Sequence, residues 1–226
     1  MKSAVIVFPG SNCDRDALTV MSNLGLNPIK VWHAESSLPK VDLVVLPGGF
    51  SYGDYLRSGA MAARAPIMND IIKHADNGGL LLGICNGFQI LTETGLLQGT
   101  LMRNSKLKFI CREVNLRVEN NKTAFSAKYG KNQVINIPIA HHDGNYFADK
   151  NTLEEIETNE QVAFRYCDIS GNISDTYNPN GSIGNIAGIY NKAKNVLGLM
   201  PHPERHSEII LGGADGKIMF ESLLAA

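Results

Sequence analysis

Leu80-Leu81-Leu82-Gly83-Ile84-Cys85-Asn86-Gly87-Phe88-Gln89 is the stretch that decides the fold of this 226-residue chain. An apolar run of strand length passes without a spacer into residues with helical apolar spacing. The junction reads G-x-C-x-G, the cysteine counterpart of the nucleophile elbow. Such a turn is sharp, and Gly83 and Gly87 remove side chains that would collide across it. It presents a sulfur at the carboxyl end of a strand, where open α/β sheets bind ligands. The helix that follows begins with unpaired N–H groups and a partial positive charge. Settings of that kind bring a cysteine from an ordinary pKa of about 8.5 into the range of roughly 3.5–7.5. The N–H of Asn86 is directed at the place where a tetrahedral oxyanion would form. Taken alone, the stretch also suits a buried structural cysteine. Its partners decide between the two.

Upstream of the elbow, short apolar runs alternate with helix-like stretches. Residues 4–8, 28–32 and 41–46 are predicted strands, and 80–84 is the fourth. Residues 17–24, 61–75 and 87–94 are predicted helices, with Gly25 and Asn77-Gly78-Gly79 as stop signals. This alternation points to a parallel sheet with helices on both faces. Downstream, 109–118 and 134–139 are predicted strands. Residues 119–133 and 148–185 are polar and read as loops and hairpin connections of a small additional sheet. Strands at 186–190 and 196–200 and a helix at 215–224 complete the chain. Nothing resembles a repeat or an interdomain linker, so residues 1–226 are expected to form one domain.

The base that such a cysteine needs stands near the far end, in Met200-Pro201-His202-Pro203-Glu204-Arg205. Pro203 biases His202 toward extended geometry. In an extended segment, residues two apart share a face. Glu204 can then hold one imidazole nitrogen while the other faces a thiol, which is the nucleophile–base–orienter arrangement. His141-His142-Asp143 is a rival pair of histidines, but His142 and Asp143 alternate faces if extended. The turn Pro47-Gly48-Gly49 after the third strand lets backbone N–H groups approach a ligand. Gly49 and Asn86 together would supply an oxyanion hole.

Composition excludes other classes. The chain is 44% hydrophobic and 19% charged, with a net charge of −1. No basic excess suggests a nucleic-acid binder, and no basic amphipathic stretch suggests a membrane surface. The apolar run at residues 4–8 is too short for a signal peptide or a membrane span. A cytoplasmic location is therefore expected. The cysteines Cys13, Cys85, Cys111 and Cys167 show no C-x-x-C pair and no metal-ligand spacing. There is no G-x-x-x-x-G-K-[ST] phosphate loop. No cofactor or metal is expected on this chain.

The Pro-Gly-Gly turn, the G-x-C-x-G elbow and the late H-P-E, in that order, resemble the class I (triad) glutamine amidotransferases. That family implies a flavodoxin-like sheet. It also implies that Cys85 attacks the glutamine side-chain amide, that His202 handles the protons, and that Glu204 orients His202. Gln89 and Phe50 are then expected to touch bound glutamine. A wider set narrows the resemblance: Phe8-Pro9-Gly10-Ser11-Asn12-Cys13-Asp14, Gly48-Gly49-Phe50-Ser51-Tyr52-Gly53-Asp54-Tyr55-Leu56-Arg57, Asn104-Ser105 and Phe109-Ile110-Cys111-Arg112. Within the family it is similar to the small glutaminase subunits of purine biosynthesis. Those imply a large synthetase partner that uses ATP and magnesium to turn formylglycinamide ribonucleotide into its amidine, and a small bridging subunit. Two positions depart from the pattern. Ala140-His141-His142-Asp143-Gly144 stands where relatives commonly read A-H-G-E-G, and Glu113 stands where they often carry Trp. Competing readings are a cysteine hydrolase or chaperone-like protein of the same fold, and a non-catalytic binding subunit of amidotransferase descent.

Overall fold

A computed structural model describes residues 1–225. The strands are β1 Ser3–Val7, β2 Pro28–Trp32, β3 Leu43–Leu46, β4 Leu80–Ile84, β5 Thr100–Met102, β6 Ile110–Val118, β7 Val134–His141, β8 Asn145–Phe147, β9 Val162–Cys167, β10 Ile186–Tyr190 and β11 Val196–Leu199. The α-helices are α1 Asp14–Asn23, α2 Met68–Asp76, α3 Asn86–Glu93, α4 Lys150–Thr158 and α5 Lys217–Leu223. Nine strands form one sheet in the order β2-β1-β3-β4-β11-β10-β9-β6-β7. The first five in that order run parallel, and the remaining pairings are antiparallel.

Burial explains this split. Every residue of β3 and β11 is buried, without alternation. Strands covered on both faces read as continuous apolar runs, as parallel sheets require. By contrast, β7 alternates strictly between half-buried and buried residues, so one of its faces is much less covered. The expected α/β class with a mostly parallel central sheet is what forms. The later strands extend that sheet, and the separate small sheet is only the antiparallel pair β5–β8.

Two expectations about elements are corrected. Residues 61–75 are not one helix. A single 3₁₀ turn at Ala62–Arg64 gives way to extended backbone at Ala65, and α2 starts at Met68. Pro66 forces the break, because the residue before a proline is pushed out of helical geometry. The polar stretch 148–185 is not all loop. It holds α4, capped by the Asp149 side chain accepting from the Thr152 N–H, and β9. Within α4 only Ile156 is buried, so its apolar period is faint. Among the described residues, no helix is long and apolar enough to cross a membrane.

The topology also fixes where a ligand can sit. From β1 the chain goes to β2 on one side and to β3 on the other. Such a reversal opens a crevice at the carboxyl ends of the strands. The loops that follow β1, β3, β4 and β11 carry Cys13, Gly49, Cys85 and His202 respectively.

Candidate active site

Cys85 sits between β4 and α3 with φ 48° and ψ −102°. This is a conformation that side chains other than glycine rarely hold, and surrounding structure has to enforce it. Two glycines make it feasible. A Cβ on Gly87 would run into the Leu46 carbonyl of β3, and one on Gly83 would lie 2.8 Å from the Gly87 backbone. The Cys85 N–H donates to the Leu199 carbonyl at 2.7 Å, which extends the parallel register in which Ile84 faces Leu199. The elbow is thereby locked to the end of β11, the strand that delivers His202.

His202 is held by its backbone N–H, which donates to the Pro138 carbonyl at 2.8 Å. Its Nδ1 meets Glu204 Oε1 at 2.6 Å, and both side chains are almost wholly buried. The expected pairing of His202 with Glu204 forms, but not through an extended segment: Pro203–Arg205 is a 3₁₀ turn that starts just after His202 and brings the carboxylate to the ring. Burial opposes charge on the ring. The Glu204 carboxylate, with Cys85 and Cys13 beside the ring, outweighs it and raises the His202 pKa well above the usual value. Glu204 Oε2 is buried without a hydrogen-bond partner. The Cys85 Sγ makes a long contact of 3.8 Å with the Ala140 carbonyl at the end of β7.

Asn86 ties the loop after β3 to α3. Its Oδ1 accepts from the Ser51 N–H at 3.2 Å, and its Nδ2 donates to Gln89 Oε1 at 2.8 Å. Gln89 Nε2 donates onward to the Asp143 carbonyl at 2.7 Å. Gln89 therefore spends one N–H and one acceptor lone pair of its amide on the protein and keeps one of each for a ligand. Gly49, with φ 147°, and the half-exposed Phe50 line a cavity of about 230 Å³ that also reaches His202. The Phe50 ring leans on Phe109, with centroids 6.4 Å apart. A larger hollow of about 860 Å³ near Met1, Asp42 and His74 contains no thiol–imidazole pair.

The rival histidines have separate settings. Asn104 donates both amide hydrogens, to the carbonyls of Lys108 and His141, which leaves its Oδ1 as an acceptor. His141 Nδ1 lies 3.0 Å from that oxygen and so carries the proton. Burial first, then repulsion from His202, lowers the His141 pKa to about 3. His141 is thus a neutral structural histidine. His142 pairs with Asp143 at 3.1 Å, half-exposed. Asp143 also accepts from Ser58 at 2.7 Å. Neighbouring Asp54 has its pKa raised to about 6, first by burial and then by the Asp143 charge.

Cys13 is the residue whose place the sequence left open. Its N–H donates to the Gly48 carbonyl at 3.2 Å, and its thiol lies beside the His202 ring. The signal was its presence in the first of the narrowing motifs, without any indication of what it touches.

Comparison with known proteins agrees with this geometry. The family described as CobB/CobQ-like glutamine amidotransferase domain matches residues 1–211. A Nitrobacter winogradskyi protein named phosphoribosylformylglycinamidine synthase subunit PurQ is 57% identical, over 100% of this chain and 97% of its own length. Its Gloeobacter violaceus namesake is 56% identical, over 100% of this chain and 98% of its own length. A chain in the structure of PurLQS from Thermotoga maritima superposes with a TM-score of 0.88 at 48% identity, covering 99% of this chain and 97% of that one. A Thermotoga maritima glutamine amidotransferase at 14% identity shares the fold, with a TM-score of 0.64. With most of its length matched by the family and whole-length relatives at such identity, the chain belongs to the glutamine amidotransferases.

Proposed function

We propose that the chain is the glutaminase subunit of a phosphoribosylformylglycinamidine synthase, acting as one amidotransferase domain over residues 1–226. The observation that carries the chemistry is the buried His202–Glu204 pair at 2.6 Å, set one strand away from the strained Cys85. The purine-pathway assignment draws its support from the whole-length relatives of that name.

In this reading Cys85, as thiolate beside a protonated His202, attacks the side-chain carbonyl carbon of glutamine. A C–S bond forms and the carbonyl electron pair moves onto oxygen. The N–H groups of Gly49 and Asn86 receive that oxyanion, and one such donor contributes on the order of a hundred- to a thousandfold in rate. His202 gives its proton to the nitrogen, the C–N bond breaks, and ammonia leaves a thioester. His202 then takes a proton from water, whose oxygen attacks the thioester; the C–S bond breaks, glutamate leaves with its carboxyl proton going to solvent, and the thiolate beside a protonated His202 is restored. Glu204 holds the ring in place throughout, the orienter's role in a triad. Gln89 and Phe50 shape the glutamine pocket, Phe50 through its ring and Gln89 chiefly by bridging Asn86 to the 143 loop.

Ammonia passes to a large synthetase subunit, joined by a small bridging subunit. The similarity to a chain of the PurLQS structure supports that partnership. ATP and magnesium are used on the synthetase, converting formylglycinamide ribonucleotide to the amidine. The complex works in the cytoplasm, in keeping with the free thiols Cys13, Cys85, Cys111 and Cys167.

The test is amidine formation by the reconstituted complex, with either glutamine or ammonium as nitrogen donor. Cys85→Ala is expected to abolish the glutamine-dependent rate and spare the ammonium-dependent one. Loss of both rates in an assembled complex would refute the division of labour. A glutamine-analogue affinity label that misses Cys85 would refute the nucleophile.

A further inference from the structure

Cys13 gives the site a second thiol that the amidotransferase chemistry does not use. One ligand atom from each of Cys13, His202 and Glu204 lies within 4.8 Å of the other two. All three residues are buried. A tetrahedral zinc site with its usual bond lengths has ligand–ligand edges of about 3.5 Å, so side-chain shifts of about an ångström close this set around an ion. One of the three, Glu204, holds a buried oxygen, Oε2, with no hydrogen-bond partner. Orphaned atoms of this kind are costly, and a cation is one way to satisfy them. The contact of the Cys13 thiol with Asn12 Oδ1 is long, 3.9 Å.

We infer that this pocket also binds Zn²⁺, held by Cys13, His202 and Glu204, and that the ion is a reversible inhibitor rather than a cofactor. Thiolate, imidazole and carboxylate are the donors zinc prefers. Three protein ligands leave a fourth position for water. The cavity lined by Cys13, Gly49, Phe50, Ala140, His202 and Arg205 gives the ion a path from solvent. Binding balances as proton release: Cys13 loses its thiol proton, and the liganding nitrogen of His202 gives up its own. Either nitrogen disables the triad. Nδ1 is the one that Glu204 holds, and Nε2 is the one left for the thiol of Cys85. No spacing motif announces the site, because Cys13 follows β1 while His202 follows β11 at the other end of the chain. Binding stands on this geometry alone. Only its inhibitory effect rests on the proposed triad chemistry.

The experiment is competition for Zn²⁺ between the full-length chain and a chromophoric chelator, in a Cys111→Ser background that removes the exposed thiol. One equivalent is expected to bind, with Cys85→Ala binding about as tightly. Cys13→Ala and the near-isosteric Cys13→Ser should weaken binding at least tenfold, with unfolding midpoints measured alongside. Glutamine hydrolysis by the complex, normalised to each variant's own zinc-free rate, should need at least tenfold more Zn²⁺ for half inhibition in the Cys13 variants. Absence of stoichiometric binding would overturn the proposal. So would binding that survives both Cys13 substitutions, or that Cys85→Ala abolishes, since the ion would then belong to the Cys85–His202 pair. Zinc that binds through Cys13 without inhibiting hydrolysis would leave the site standing and count against the triad reading.

Discussion

His202 and Glu204 form a buried couple in which the carboxylate both aims the ring and supports its charge. Glu204→Gln keeps the shape and removes the charge. The expected result is a fall in kcat for glutamine hydrolysis of about 10²–10⁴-fold with little change in KM, as for other orienting carboxylates. Steady-state kinetics on the complex would show it, and an unchanged kcat would remove Glu204 from the mechanism. His141 makes a different prediction. Its pKa is about 3 when folded and near 6.5 when unfolded, so the unfolded chain binds the extra proton. Stability from this group is therefore complete above pH 6.5 and is lost as pH falls toward 3. Between pH 7 and pH 5 the loss is about 2 kcal/mol. His141→Gln should flatten the pH dependence of urea unfolding by that amount over this interval. The two adjacent histidines in the sequence carried no hint of this. What makes His141 structural is Asn104, which a different loop brings to its ring.

At the scale of elements, the elbow is as much a packing problem as a catalytic one. Leu46 of β3 leaves no room for any side chain at position 87. Gly87→Ala is expected to cost about 2–3 kcal/mol of stability, because backbone rather than a flexible side chain must yield. Glutamine hydrolysis should fall with it, since Cys85 can no longer hold its φ of 48°. Denaturant midpoints together with activity would check both. This element was legible beforehand, since apolar strand, glycines and helix lie within ten consecutive residues. The helix expected over 61–75 was less so. Its apolar spacing continued past Pro66, but the proline cut it into a 3₁₀ turn and α2. Helix α4 and strand β9 escaped notice for another reason. The one is nearly all surface, and the other becomes a strand only by lying between β6 and β10.

For the whole molecule, the proposed nucleophile, base and orienter all lie on this chain, yet the synthesis they are proposed to serve is finished elsewhere. Ammonia released without a partner would be wasted. Glutaminase activity of the isolated chain is therefore expected to be weak and to rise at least tenfold on adding the synthetase and bridging subunits. Full activity of the chain by itself would show that the partners do not gate the site.

Periodicity, glycine placement and the two-residue spacing of H-P-E are local, and they alone determined the strand–helix alternation, the elbow and the facing of His202 toward Glu204. Strand order is not local. Only the folded sheet, by placing β4 beside β11 and β1 beside β3, decided that Cys85 meets His202. The same order set Cys13 against that ring, neutralised His141 and let the later strands lengthen the central sheet. Those outcomes depend on contacts between residues far apart in the chain, for which a one-dimensional apolar pattern holds no record.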